Sequence, residues 1–259
     1  MTTKTIQRPL TPAAGKRLIA KAVSRRTDVL SLLEKGRLVI LGGTTNGYVA
    51  EEILRAIGQE NGFDRKRFFR GVTLPPHMPT TDTGRLHDDG PFPGDVVIVD
   101  GKWESGVTIY DMVDDLRAGD MIIKGANAVD LHSGRAAIYI GDPKAGTAGV
   151  ALQAVVGRRV RLLLPVGLEK RVAGDLDRLS ALVNSPNATG PRLLAVSGEV
   201  FTELEAIAAL TGAEAALVAG GGVCGAEGSV WLAVSGTDAA LDTARRLFSE
   251  ISPEPNFTL

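Results

Sequence analysis

Short apolar runs alternate with amphipathic segments along the first two thirds of the chain. The runs that predict buried strands, being too short for helices, lie at residues 38–41, 68–74, 95–99, 121–123 and 160–164. The segments with helical spacing lie at residues 12–35, 48–57, 108–116 and 148–156. Strands that alternate with helices predict a parallel sheet covered by helices on both faces. We therefore expect an α/β fold with a Rossmann-like sheet.

A second unit is expected after residue 186. Residues 184–191 are rich in Asn, Pro and Gly, as is typical of a linker. The pattern that follows predicts, in order, a strand (192–197), a helix (199–211), two strands (213–219 and 229–235) and a helix (238–251). This βαββα order resembles a ferredoxin-like module. We thus divide the chain into residues 1–186, the Rossmann-like domain, and 187–259, a small α+β domain.

A glycine-rich turn joins the first apolar run to its helix. The residues of this turn are Gly42, Gly43, Thr44, Thr45, Asn46 and Gly47. Backbone N–H groups at a helix N-terminus favour an anion, and threonine hydroxyls are further donors. The turn matches neither the dinucleotide-binding pattern nor the P-loop. An anion site and a plain tight turn with threonine caps both explain it, and the local sequence does not separate the two.

Composition excludes several classes of partner. The net charge is −1 with acids and bases interspersed, which argues against a nucleic-acid surface. One cysteine, Cys224, leaves no disulfide framework and fits a reducing compartment. No apolar run approaches membrane-spanning length, and residues 1–16 lack a signal-peptide core. We expect a cytoplasmic protein without nucleic-acid or membrane partners and without a cofactor, and leave homo-oligomerisation open.

A long segment rich in proline and glycine, residues 75–94, interrupts the pattern. A connection of this length is typical of a lid, a binding loop or a disordered segment. His77 and His87 lie within it, but their spacing matches no standard zinc pattern and cysteine partners are missing. We therefore expect no metal site.

Three stretches together resemble a known superfamily. Residues 41–54 (LGGTTNGYVAEEIL) resemble the first strand, loop and helix of ribose-5-phosphate isomerases and glucosamine-6-phosphate deaminases. Residues 122–141 and 161–170 resemble later segments of those isomerases, of methylthioribose-1-phosphate isomerase and of sugar-sensing regulators. Order and spacing agree over residues 12–172. The resemblance implies the isomerase, deaminase and CoA-transferase-like fold, whose ligands are mostly sugar phosphates or CoA esters.

The chain departs from these families at the residues that carry chemistry. Asn127 stands where the isomerases have an aspartate, and an amide cannot act as a general base. After Asp130, residues 131–144 contain no glutamate to replace it. CoA transferases use a glutamate near a Glu-Asn-Gly motif, of which Glu104-Ser105-Gly106 is a partial match. These departures favour binding over catalysis.

The candidate site residues follow from the turn and from this resemblance. The candidate ligand-binding residues are Gly42, Gly43, Thr44, Thr45, Asn46, Gly47, Gly125, Asn127, Lys144 and Lys170. The candidate catalytic residues are Asp130 as a base, Lys124 as a partly buried amine, and Glu104. The structural alternatives are a solvated surface charge for Lys144 and Lys170, a turn cap for Asp130, a salt bridge to Asp130 or Asp142 for Lys124, and a surface residue that ends a strand for Glu104.

Three functions remain open at this point. The first is binding of a small anionic metabolite, such as a sugar phosphate, with or without catalysis. The second is an aldose–ketose isomerase that works through an enediol with Asp130 as base. The third is an acyl-CoA enzyme that uses Glu104. Fold analogy supports all three equally; Asn127 favours the first, and a lid at residues 75–94 would favour the second.

Overall fold

The computed structural model describes residues 4–71, 73–74, 77–78 and 92–258. The strands are β1 (Lys4–Leu10), β2 (Arg37–Ile40), β3 (Val96–Val99), β4 (Lys102–Trp103), β5 (Met121–Ile123), β6 (Ala128–Asp130), β7 (Arg135–Ile140), β8 (Arg161–Pro165), β9 (Arg192–Val196), β10 (Glu199–Phe201), β11 (Glu214–Gly220) and β12 (Val230–Gly236). The α-helices are α1 (Pro12–Val23), α2 (Thr27–Glu34), α3 (Thr44–Ala56), α4 (Ile109–Met112), α5 (Gly146–Arg158), α6 (Leu176–Val183), α7 (Glu203–Thr211) and α8 (Asp238–Ile251). None of the helices in these ranges is both long and apolar enough to cross a membrane.

The central sheet has six strands in the order β10-β8-β5-β2-β3-β4. Strands β10, β8, β5 and β2 are parallel, whereas β3 runs antiparallel to β2 and β4 runs antiparallel to β3. The expectation of an all-parallel sheet is therefore wrong for two strands. An apolar run predicts that a strand is buried but does not tell in which direction the strand runs. The turn at Asp100 and Gly101, both with positive φ, joins β3 and β4 as a hairpin.

Helices cover both faces of this sheet, as the strand–helix alternation predicts. Alternate residues of β2 point to opposite sides, as in any strand. Leu38 and Ile40 pack in one apolar core with α1, α3 and α7, and Val39 packs in a second core with α4 and α5. Residues 68–71, expected in a strand, form none, although Phe68 and Phe69 are buried.

The strands after residue 186 do not form a ferredoxin-like sheet. Strand β9 pairs with β7 in the sheet β6-β7-β9, and β10 joins the central sheet beside β8. Strands β11 and β12 form a third sheet with β1, in the order β1-β12-β11. The prediction of a ferredoxin-like module is therefore wrong. Strand pairing depends on partners that are distant in sequence, and the local pattern does not reveal these partners.

The expected linker gives a testable prediction. Residues 184–191 are exposed, so a protease at low concentration should cleave there. The two fragments should stay together under native conditions, since β9, β10 and β12 each pair with a strand from the other side of the cut. Denaturing gels and size-exclusion chromatography of the nicked protein measure the two effects. Fragments that separate without denaturant would instead support two independent domains.

Candidate functional site

A cavity of about 380 Å³ opens at the carboxyl ends of β2 and β5. These two strands are parallel neighbours. After β2 the chain continues into α3 on one face of the sheet, whereas after β5 it leads through β6 and β7 to α5 on the other face. Ligands of open α/β sheets bind at such a switch point. The described walls come from the loops that follow β2, β5 and β8, from the first residues of α3, from α1 and β7, and from residues 70, 71, 73 and 257.

The N-terminus of α3 forms one wall of the cavity. The first intrahelical bond runs from Gly47 N–H to the carbonyl of Gly43 (2.8 Å), so three earlier N–H groups precede the regular ladder. Thr45 lines the cavity while only 2% exposed, and its buried hydroxyl has no hydrogen-bond partner among the described residues. At Gly43 a Cβ would meet no described atom within 4 Å, so the backbone there faces open space. These features suit an anion.

Four cationic side chains line the same cavity, and none of its described lining residues is acidic. They are Lys16, Arg70, Lys124 and Lys170. Burial lowers the pKa of Lys170, and burial together with neighbouring Lys170 lowers that of Lys16. Burial also lowers the pKa of Lys124 to about 8, with Asp95 opposing the shift and Arg70 adding to it. A bound anion would offset this crowding of positive charge.

A buried aspartate fixes the glycine turn and one of these cations. Asp95 Oδ1 accepts from Gly42 N–H (2.9 Å), and Oδ2 accepts from Ile109 N–H (2.9 Å). Arg70 Nη2 donates to both carboxylate oxygens at 2.8 Å. Sequence reasoning missed both Asp95 and Arg70, because the two residues are far apart in the chain and neither stands in a recognisable motif. Lys16, on the face of α1, was also missed.

Most of the expected ligand-binding residues do come together. Gly42, Gly43, Thr44, Thr45, Gly125, Asn127 and Lys170 line the cavity, as does the catalytic candidate Lys124. Asn46 lies behind the cavity wall, where its amide Nδ2 donates to the carbonyls of Leu41 (2.8 Å) and Ile123 (3.1 Å). Gly47 lies beside it in the buried first turn of α3. The Asn127 amide has a structural role, because its Oδ1 accepts from Tyr139 N–H (3.0 Å).

Three expected residues lie elsewhere. Asp130 caps the turn between β6 and β7: it accepts from His132 N–H (2.9 Å) and Ser133 Oγ–H (2.5 Å), and the bond from Ser133 is the main cause of its lowered pKa. Glu104 lies beyond β4 and pairs with Lys102 (3.3 Å). Lys144 is exposed in the turn before α5. None of these three residues is among the described residues that line the 380 Å³ cavity.

A second, smaller cavity of about 220 Å³ adjoins the first. The two share Arg70, Lys124, Ile138 and Tyr139 as lining residues. The smaller one extends past Tyr110 to the start of α5, where Lys124 Nζ donates to Thr147 Oγ1 (3.2 Å). Lys124 therefore lies at the junction of the two cavities, and the salt bridge from Lys124 to Asp130 or Asp142 is not formed.

The lid expected at residues 75–94 lies largely outside the described residues, as does His87. His77 is exposed, and the described part of the chain contains no group of three or more side chains suited to hold a metal ion. Phe92, at the end of the segment, packs against the glycine turn: a Cβ on Gly42 would come within 2.7 Å of its ring. Phe92 thus leaves no room for a side chain at position 42.

Comparison of the chain with protein-family profiles, with curated proteins and with solved structures gave no match. The resemblance to the isomerase and CoA-transferase-like superfamily consequently stays a prediction from three short motifs. The function has to be argued from the geometry of the cavity itself.

Proposed function

We propose that this protein binds a small phosphorylated metabolite, with the phosphate at the N-terminus of α3. The observation that carries the proposal is the charge of the cavity: three lysines, beside an Arg70 that is paired with the buried Asp95, and no acidic side chain among the described lining residues. The unpartnered hydroxyl of Thr45 and the N–H groups that begin α3 provide directed donors beside this charge. A cavity of about 380 Å³ suits a small metabolite.

The geometry favours binding over enediol isomerisation. An isomerase of that kind needs a base within hydrogen-bond reach of the substrate's C–H group. Asp130, the expected base, is held in a turn by His132 and Ser133. The acyl-CoA alternative needs Glu104 in the cavity, and Glu104 instead lies beside Lys102. Neither Asp130 nor Glu104 is among the described residues that line the 380 Å³ cavity; a different carboxylate, Asp142, lines the smaller adjoining cavity.

Inorganic phosphate should raise the melting temperature of the protein. Binding to the folded state alone stabilises it in proportion to ln(1 + [L]/Kd), so the rise should grow as phosphate exceeds its Kd. The double variant Gly43→Ala/Thr44→Val should abolish the rise, because it adds a methyl group to the cavity wall and removes a hydroxyl. The backbone at Gly43 is extended (φ 174°), so alanine fits there without strain. Differential scanning fluorimetry at constant ionic strength measures the effect.

Lys144→Met is the matched control for this experiment. It removes one exposed lysine outside the cavity and should leave the phosphate-dependent rise unchanged. Lys170→Met removes one cavity lysine and should reduce the rise. If phosphate stabilises the double variant as strongly as the parent protein, the anion binds elsewhere and the proposal is wrong.

A further inference from the structure

We propose that Lys124 forms a reversible imine with the carbonyl carbon of the bound metabolite. The ligand class would then be a phosphorylated aldehyde or ketone. This inference rests on the proposed function, because the phosphate at α3 holds the carbonyl group near the amine. It adds a covalent step that binding alone does not require.

The position of Lys124 is the first argument. Lys124 follows β5 directly, and its backbone N–H bonds the carbonyl of Leu163 in β8 (3.0 Å), so the residue is fixed to the sheet. Its side chain lines both cavities. A ligand with its phosphate at α3 and its carbon skeleton in the second cavity would cross the region that both cavities share, which Lys124 lines. The second cavity offers Ile138, Tyr110 and Tyr139 for that skeleton, and the carboxylate of Asp142 also lines it.

The hydrogen-bond partners of the three cavity lysines distinguish Lys124 from the others. Lys170 Nζ donates to the carbonyl of Ala126 (2.9 Å), and the charges of Glu169 and Glu203 act on both Lys170 and Lys16, favouring their protonated forms. Among the described residues, no carboxylate forms an ion pair with Lys124. In the part of the chain that the structure describes, its amine hydrogen-bonds the hydroxyl of Thr147 alone, and this hydroxyl can accept from an ammonium or donate to a neutral amine.

The surroundings of Lys124 also favour its nucleophilic form. Only the neutral amine attacks a carbonyl, and desolvation favours that form. The nearest influential carboxylate, Asp95, favours the ammonium form, but it is itself engaged by Arg70 and by two backbone N–H groups, and desolvation of Lys124 outweighs its effect. The lowered pKa of about 8 follows from this arrangement and leaves a useful fraction of neutral amine near neutral pH.

The reaction is balanced without any further reagent. The amine nitrogen attacks the carbonyl carbon, the carbonyl π electrons move to oxygen, and proton transfer gives a carbinolamine. The carbon–oxygen bond then breaks, and the oxygen leaves as water with both former amine protons. The hydroxyl of Thr147, beside Nζ, is placed to relay one of these protons. The product is an imine, which addition of water returns to the free lysine and the carbonyl compound.

Glycolaldehyde phosphate, which carries one aldehyde and one phosphate, is the probe for the test. The full-length protein is incubated with it and sodium borohydride, which reduces an imine to a stable secondary amine. We expect one adduct per chain by intact mass, located at Lys124 by peptide mapping. Labelling should rise with pH with a midpoint near 8. An excess of inorganic phosphate should protect Lys124 by occupying the α3 site.

Two matched variants complete the experiment. Lys124→Arg keeps the positive charge but cannot form an imine, so it should lose the adduct. Lys144→Arg should retain the adduct. An adduct at Lys16, at Lys170 or spread over surface lysines would overturn the assignment of Lys124, even if phosphate binds as proposed. If phosphate does not raise the melting temperature of the parent protein, the proposed function is wrong instead.

Discussion

Asp95→Asn should lower the free energy of unfolding by about 3–5 kcal/mol, the usual cost of removing one partner from a buried ion pair. The Asp95 side chain is fully shielded from water and accepts hydrogen bonds from Gly42, Ile109 and Arg70. An asparagine would present an NH₂ group to donors and would leave the guanidinium without its counter-charge. Because Gly42 belongs to the anion-binding turn, phosphate-dependent stabilisation should weaken as well.

Urea unfolding followed by circular dichroism measures the loss. The matched control is Asp177→Asn, which breaks the exposed ion pair with Arg135 (2.8 Å) and should cost far less, because solvent screens this pair. Adding Arg70→Met to Asp95→Asn removes the unpaired cation and should recover part of the loss. Equal effects of the two Asp→Asn variants would contradict the role given to Asp95.

Glu203→Gln should change how stability depends on pH. Glu203 is 1% exposed, and its Oε2 accepts from Leu168 N–H (2.9 Å). Burial, with the nearby charge of Glu169, raises the pKa of Glu203 from 4.5 to about 8. The folded protein therefore keeps a proton that the unfolded chain releases between pH 4.5 and 8. The contribution of Glu203 to stability is present below this window and is lost as pH rises through it.

Glutamine cannot ionise, so the variant should gain stability relative to the parent protein as pH rises from 5 to 8. The gain should be roughly 2–4 kcal/mol, given ~1.4 kcal/mol per pKa unit. Urea unfolding at several pH values measures the difference. Glu214→Gln, an exposed position on β11, is the control whose effect should not vary with pH. A pH-independent difference for Glu203→Gln would show that the folded protein tolerates the ionised carboxylate.

The sequence predicts those parts of the fold and site that local patterns encode. The apolar runs predict β2, β3, β5 and β8 because a buried strand needs consecutive apolar residues. The turn at residues 42–47 predicts one wall of the cavity, because glycine and threonine at a helix start suit an anion. Lys124 follows β5 directly and Lys170 lies in the turn after β8, and because these strands are parallel neighbours both lysines reach the same sheet edge.

The remaining features depend on contacts between residues distant in sequence. No local sequence pattern predicts the ion pair between Asp95 and Arg70. The same is true of the position of Lys16 in the cavity wall and of the antiparallel direction of β3. Asp130 was the expected base because of its place after Asn127, but an aspartate beside a turn caps that turn as readily. The three sheets of the fold likewise depend on the partners that β9 and β12 find, which periodicity does not specify.

The pairing of β1 with β12 has a consequence for biosynthesis. Lys4 lies opposite Gly236, and Leu10 lies opposite Val230, so one strand of the sheet leaves the ribosome long before its partner exists. Strand β1 stays unpaired while the residues between Leu10 and Val230 are translated. Lys4, Gln7 and Arg8 are exposed in the folded protein, and these polar side chains disfavour pairing with another nascent chain during the wait. The β1-β12-β11 sheet can therefore close only after β12 has been synthesised.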